Sequence, residues 1–230
     1  MPAEYTITTP RPATPATSSL RNFGVAFLAS GLLGVAIGIV NLSYPAAVPK
    51  DRWSYPFDAT SQWVVSSVLS ITHLLAIAGL VGVLIASPYG RSRAARIGIW
   101  AAIIGCAGLA GCELLSGAVG TRNNNSSFAG AVNGAFGVAS LLTAAGSIVA
   151  GVVIVRRVGR RSGWSAILWS GVVLVVLVTP ASIGGNLVFE TVALTLWSLL
   201  YVPLGQALIR SRGVVLEDDG LQRRSSFLRT

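Results

Sequence analysis

The chain has 230 residues, of which 53% are hydrophobic and only 11% charged, and its formal net charge is +9. A soluble domain carries roughly 25% charged residues and needs a polar outer shell, so this composition excludes a soluble globular fold and points to a chain whose outer surface faces lipid. The positive charge sits between apolar blocks and forms no basic patch interleaved with aromatics, which argues against nucleic acid as a partner.

Residues 1–20 are dominated by Pro, Thr and Ala, with almost nothing to bury, and read as a disordered cytoplasmic tail. No apolar stretch near the start resembles the core of a signal peptide. Six apolar blocks follow, at about 23–42, 63–86, 97–119, 135–155, 164–182 and 187–209. A helix rises 1.5 Å per residue, so about 20 residues cross the hydrocarbon core. The expected fold is therefore all-α: a six-helix transmembrane bundle over residues 21–209, followed by a basic cytoplasmic tail at 210–230.

The basic residues set the expected orientation. Arg91, Arg93 and Arg96 follow the second block, and Arg156, Arg157, Arg160 and Arg161 follow the fourth. Together with both tails these regions carry 14 Arg, against only Lys50, Arg52 and Arg122 in the alternate connections. Basic residues stay on the cytoplasmic side, which puts both termini there, against anionic lipid. The use of 16 Arg to a single Lys, with much Ala, Gly and Val, is the bias of a GC-rich genome, and the expected location is a bacterial plasma membrane. Trp53, Trp63, Trp100 and Trp164 fall near block ends, where amphipathic rings prefer the headgroup level, whereas Trp169 and Trp197 lie deeper.

Small residues recur along several blocks: Gly34 and Gly38; Gly105, Gly108 and Gly111; Gly130 and Gly134. They let helices approach closely in lipid, and a face of this kind also suits a homo-oligomer. Cys106 and Cys112 lie six residues apart on one helix, about 600° around its axis, and so face different ways. They read as packing residues.

Ionisable residues inside a membrane are costly and mark function by default. Three stand out: His73, Glu113 and Glu190. Counted from the predicted block ends they lie about 15, 10 and 5 Å below the outer surface, which suggests one outward-opening polar pocket. Ser66 and Ser70 share a helix face with His73, and Ser140, Thr143 and Ser147 form a stripe on the fourth block. The candidate pocket is His73, Glu113, Glu190, Ser70 and Thr143, with the loop from Tyr44 to Gln62 long enough to cover it and Arg122 available to pair with Glu190. If His73 and Glu113 meet on consecutive antiparallel helices, the pair can relay a proton or hold a polar ligand.

Other chemistry is missing. A single His in the chain excludes a bis-His haem within one protomer, and no P-loop, HExxH or GxSxG pattern occurs. No cofactor or metal is expected, and an enzyme acting on a lipid is the least favoured class. The general lack of chemistry leads to the expectation of a non-catalytic accessory or partner-binding membrane protein. The alternative is a small, proton-coupled transporter built around the outer-half pocket.

Overall fold

A computed structural model describes residues 15–184 and 186–211. Among these residues the chain is all-α with no strand, and six helical spans are long and apolar enough to cross a bilayer. They run Ser19–Ser43, Ala59–Ala86, Arg93–Val119, Ser127–Val158, Gly163–Ser182 and Leu187–Arg210. The first four belong to helices α1 (Pro15–Ser43), α2 (Ala59–Ala86), α3 (Arg93–Val119) and α4 (Ser127–Val158). The fifth comprises a 3₁₀ turn at Gly163–Ser165, then α5 (Ala166–Val173), a π-helical stretch at Leu174–Val178 and α6 (Thr179–Gly184). The sixth is divided into α7 (Leu187–Leu199) and α8 (Tyr201–Arg210).

The chain is thus a six-helix transmembrane bundle, with span boundaries close to those read from hydropathy. The largest difference is at α4, which starts at Ser127 rather than near Ala135 because the Ser126 hydroxyl accepts the Ala129 amide and caps an earlier first turn. At the amino end, α1 begins at Pro15, so residues 15–20 are helical rather than tail. Residues 1–14 and 212–230, with most of both expected tails, lie outside the described residues.

Polar caps set the other helix starts. Asp58 accepts the Thr60 and Ser61 amides at the start of α2, Ser92 accepts Ala95 at α3, and Asn186 accepts Phe189 at α7. Hydrogen bonds from the Ser61 amide and hydroxyl, assisted by Thr60 and Tyr44, hold the Asp58 carboxyl below its ordinary value of 3.8. At the far end of α2, Ser87 takes the left-handed conformation (φ 46°) and Gly90 follows at φ 62°, turning the chain into α3.

Neighbouring spans pack in chain order from α1 to α5, and the ring closes where α1 meets α7 and α8 and α5 meets α8. The connections sort onto two ends. The arginine-bearing turns touch each other, with Arg157 donating to the Tyr89 carbonyl at 3.4 Å. The arginine-poor loops also touch: Trp53 N donates to Arg122 O and Asn124 N to Asp51 O, both at 2.9 Å, and Asn123 Nδ2 reaches Asp51 Oδ2 at 2.9 Å.

Proline explains the two irregular spans. Pro180 has no amide to donate and its ring crowds the carbonyl four residues back. The helix ahead of it widens into the π turn, where Thr179 Oγ1 donates to Leu174 O at 2.9 Å. In the sixth span Pro203 similarly crowds Leu199, and the axis breaks at Leu200. That break lies beside the two aromatic residues, Trp197 and Tyr201, that fill the middle of the ring.

Candidate functional site

His73 and Glu113 meet. The first lies midway along α2 and the second six residues before the end of α3, and antiparallel packing of the two helices brings them level. His73 Nε2 stands 3.8 Å from Glu113 Oε1. That is within ion-pair reach but longer than a hydrogen bond. The His73 side chain is buried, with 8% of its surface exposed, and that of Glu113 mostly so, with 13%. α1 is fixed to α2 beside them by Ser30 Oγ, which donates to the Thr72 carbonyl at 2.9 Å.

The pair lines a cavity of about 60 Å³ enclosed by α1, α2, α3 and α7, toward the arginine-poor end. Its other polar walls are Asn41, Thr72, Thr191, Thr195, Trp197 and Ser198. Glycine lets α7 approach closely on the α1 side. A Cβ at Gly34 would stand 2.7 Å from Ser198 Cβ, and one at Gly38 would strike the Thr195 hydroxyl.

The polar atoms at this cavity are unusual in lacking partners. Among the described residues four buried side-chain polar atoms have no hydrogen-bond partner, and three of them belong to cavity residues: Asn41 Oδ1, His73 Nδ1 and Trp197 Nε1. Buried polar groups are nearly always hydrogen-bonded, and an orphan costs about 1–3 kcal/mol. Three such atoms belong to residues around one space, which makes that space the candidate site.

Away from the arginine-poor end, a run of packed aromatic rings follows the cavity. The His73 and Trp197 rings lie 5.9 Å apart, Trp197 and Tyr201 5.3 Å, and Tyr201 and Phe27 5.4 Å. Toward the arginine-poor end a polar seam runs between α2 and α3. There Gln62 Nε2 donates to Ser66 Oγ at 3.2 Å and to Ser116 Oγ at 3.1 Å, and Trp53 Nε1 donates to Ser116 Oγ at 2.8 Å. Ser66, Ser70 and His73 follow one another along a single buried face of α2 below that cluster.

The five-residue pocket read from the sequence therefore divides. His73 and Glu113 form the site, while Ser70 belongs to the seam above it and is not in the cavity wall. Thr143 lies at the α3–α4 contact, where it donates to Ala139 O at 2.9 Å and packs against Gly105 and the Cys106 thiol. It faces a different interface because α4 neighbours α3 and α5, not α2. Glu190 also lies apart, accepting from Ser182 Oγ at 3.0 Å. Its expected partner Arg122 instead lies over the Phe128 ring, 5.1 Å from the centroid. The Tyr44 loop contributes no residue to the cavity wall, being held on the α3–α4 loop.

Sequence reasoning missed Asn41, Thr195 and the cavity role of Trp197. Asn41 is the one carboxamide in the first apolar block, which was a usable signal. For Trp197 none was available, since Trp169 has the same apolar setting yet lies 54% exposed while Trp197 is 4% exposed. Comparisons with family models, curated proteins and solved structures found no match.

Proposed function

We propose that the chain is a small proton-coupled carrier of a bacterial cell membrane, with both termini cytoplasmic and His73–Glu113 as its protonatable centre in the outer half. One observation carries this reading: a buried histidine and carboxylate 3.8 Å apart border the same space as three polar atoms without partners. Intramembrane ionisable pairs of this kind serve proton relays and ion pathways. The polar seam at Gln62, Ser66 and Ser116 supplies a route from the outer surface, and the Trp197–Tyr201–Phe27 stack supplies the inner closure.

The test is reconstitution into liposomes with a pH-sensitive dye inside. An imposed proton gradient is expected to dissipate through the wild type, and Glu113→Gln is expected to abolish that flux. Unchanged flux in Glu113→Gln removes Glu113 as the coupling residue. Reporter fusions that place the Arg156–Arg161 turn and the Lys50–Asp58 stretch in one compartment overturn the orientation.

The accessory, non-catalytic reading stands second. What favours it is the small size of the cavity, about 60 Å³, far below the roughly 300–1,000 Å³ of ordinary small-molecule sites. On that reading the protein moves nothing, and neither wild type nor variant passes protons.

A further inference from the structure

We infer that the His73–Glu113 cavity is a monovalent-cation site, in which the Glu113 carboxylate and the Asn41 amide oxygen hold Na⁺, K⁺ or NH₄⁺. The inference rests on the carrier reading and names its coupling ion.

The first reason is the donor–acceptor balance of the wall. Glu113 is a carboxylate, and Asn41 Oδ1 is an acceptor without a donor. The hydroxyl hydrogens of Thr72 and Thr195 are already engaged on their own helices, with Val68 O at 2.9 Å and Thr191 O at 2.7 Å. Each hydroxyl has one hydrogen and two lone pairs, so both present only lone pairs to other partners. Oxygen acceptors of this kind hold hard cations or ammonium. The opposing donors are Trp197 Nε1, the Asn41 amide nitrogen and the imidazole N–H of His73, which suit the waters that accompany the ion.

The second reason is charge. Glu113 and His73 are the only titratable groups in the cavity wall. α1 contributes Asn41 there, and α7 contributes Thr191, Thr195, Trp197 and Ser198, none of them charged. An ionised carboxylate this little exposed needs a countercharge. The cavity wall holds no Lys or Arg to supply it, and one negative charge calls for one monovalent ion. A divalent ion calls for more carboxylates, and no group of three or more His, Cys, Asp or Glu occurs among the described residues.

The third reason is size. A water needs at least about 10–15 Å³ of cavity volume, so a cavity of about 60 Å³ takes one small ion with a few waters and is a poor fit for bulky choline. The 3.8 Å separation within the pair leaves carboxylate lone pairs open to the ion.

The experiment is thermal unfolding of the full chain in detergent at pH 8.5. It compares sodium, potassium and ammonium chloride with choline chloride at equal ionic strength. At least one small cation is expected to raise Tm by about 3–6 °C over choline at ten times its half-saturating concentration. Glu113→Gln, checked for helicity and monodispersity, should lose the cation effect, and His73→Gln should keep it. Equal behaviour of all salts and choline overturns the site, as does an undiminished cation effect in Glu113→Gln. If the cations fail while Glu113-dependent proton flux persists in liposomes, only this inference falls. If the cations bind while no flux occurs, the site stands and the carrier reading falls.

Discussion

The contact between α3 and α4 and the meeting of α1, α2, α3 and α7 are built from the same residue types and end in opposite results. At the first, glycines face backbone. A Cβ at Gly98 would stand 2.7 Å from Gly146 O, and one at Gly146 would strike the backbone of Gly98 and Ala102. The two helices touch main chain to main chain and leave no room. At the second, Gly34 and Gly38 face side chains, those of Ser198 and Thr195, and His73, Glu113 and Trp197 approach across the gap. Long polar side chains cannot close to van der Waals contact without leaving irregular space between them, and a cavity of about 60 Å³ remains. The lesson is that small residues in a membrane helix set how near two axes can come, while what they face decides between a seal and a site.

The contrast can be broken most severely at Gly146. Gly146→Leu would force the α3 and α4 backbones apart, and we expect a loss above about 3 kcal/mol, seen as failure to yield folded protein or a large drop in detergent unfolding temperature. Gly137→Leu on the same helix meets nothing within 4 Å. Its effect should stay within about 0.5 kcal/mol, and equal damage at both positions would contradict the contrast.

At the cavity, Gly34→Ala should cost about 1–2 kcal/mol, because the new methyl group would stand 2.7 Å from Ser198 Cβ, which side-chain rotation does not move, so α1 and α7 must shift apart. It should also lower proton flux by more than its stability loss explains, since Gly34 and Ser198 both line the cavity. A stability loss as large as that of Gly146→Leu would show the α1–α7 contact to be no looser than the other.

Smaller still is Trp197→Phe. It removes a buried N–H without a partner, so the lost apolar contact is offset and stability should change by less than about 1 kcal/mol by chemical denaturation. A loss of 2 kcal/mol or more, on the order of a broken hydrogen bond to a charged group, would mean that Nε1 is engaged.

The smallest effect concerns the arginine-poor loop. Asp58 has its carboxyl held below 3.8 by the Ser61 and Thr60 hydrogen bonds, and its folded value is therefore depressed relative to the unfolded chain. Its contribution is fully present above about pH 4 and is lost as pH falls through the depressed value. Asp58→Ala should lower the unfolding temperature at pH 6, and the gap to wild type should narrow toward pH 3. A gap that stays constant would remove the cap as its source.

Much of the fold was legible because lipid imposes a simple rule. Every backbone polar group must be paired within its own helix, so run length and hydropathy give all six spans, their carboxyl ends more closely than their starts. The alternation of arginine between connections was legible too, and contacts between like ends agree with it. Legibility stopped inside the spans. Equal depth suggested that His73, Glu113 and Glu190 share a pocket, yet depth is one coordinate and azimuth is another. Glu190 has its partner in Ser182, and Thr143 faces Gly105, because their helices turn those faces elsewhere.

The sequence by itself determined that this is a six-helix membrane protein and named two ionisable residues, His73 and Glu113, that the fold brings together. Which neighbours those residues have was decided only in three dimensions. The ring closes by packing α1 against α7 and α8, contacts between residues more than 150 positions apart, and the break at Leu200 lies between the Trp197 and Tyr201 rings that floor the site. Helix rotation and pairing are settled by how side chains interlock across interfaces, and no local pattern of apolar residues encodes that when every face of a helix is apolar.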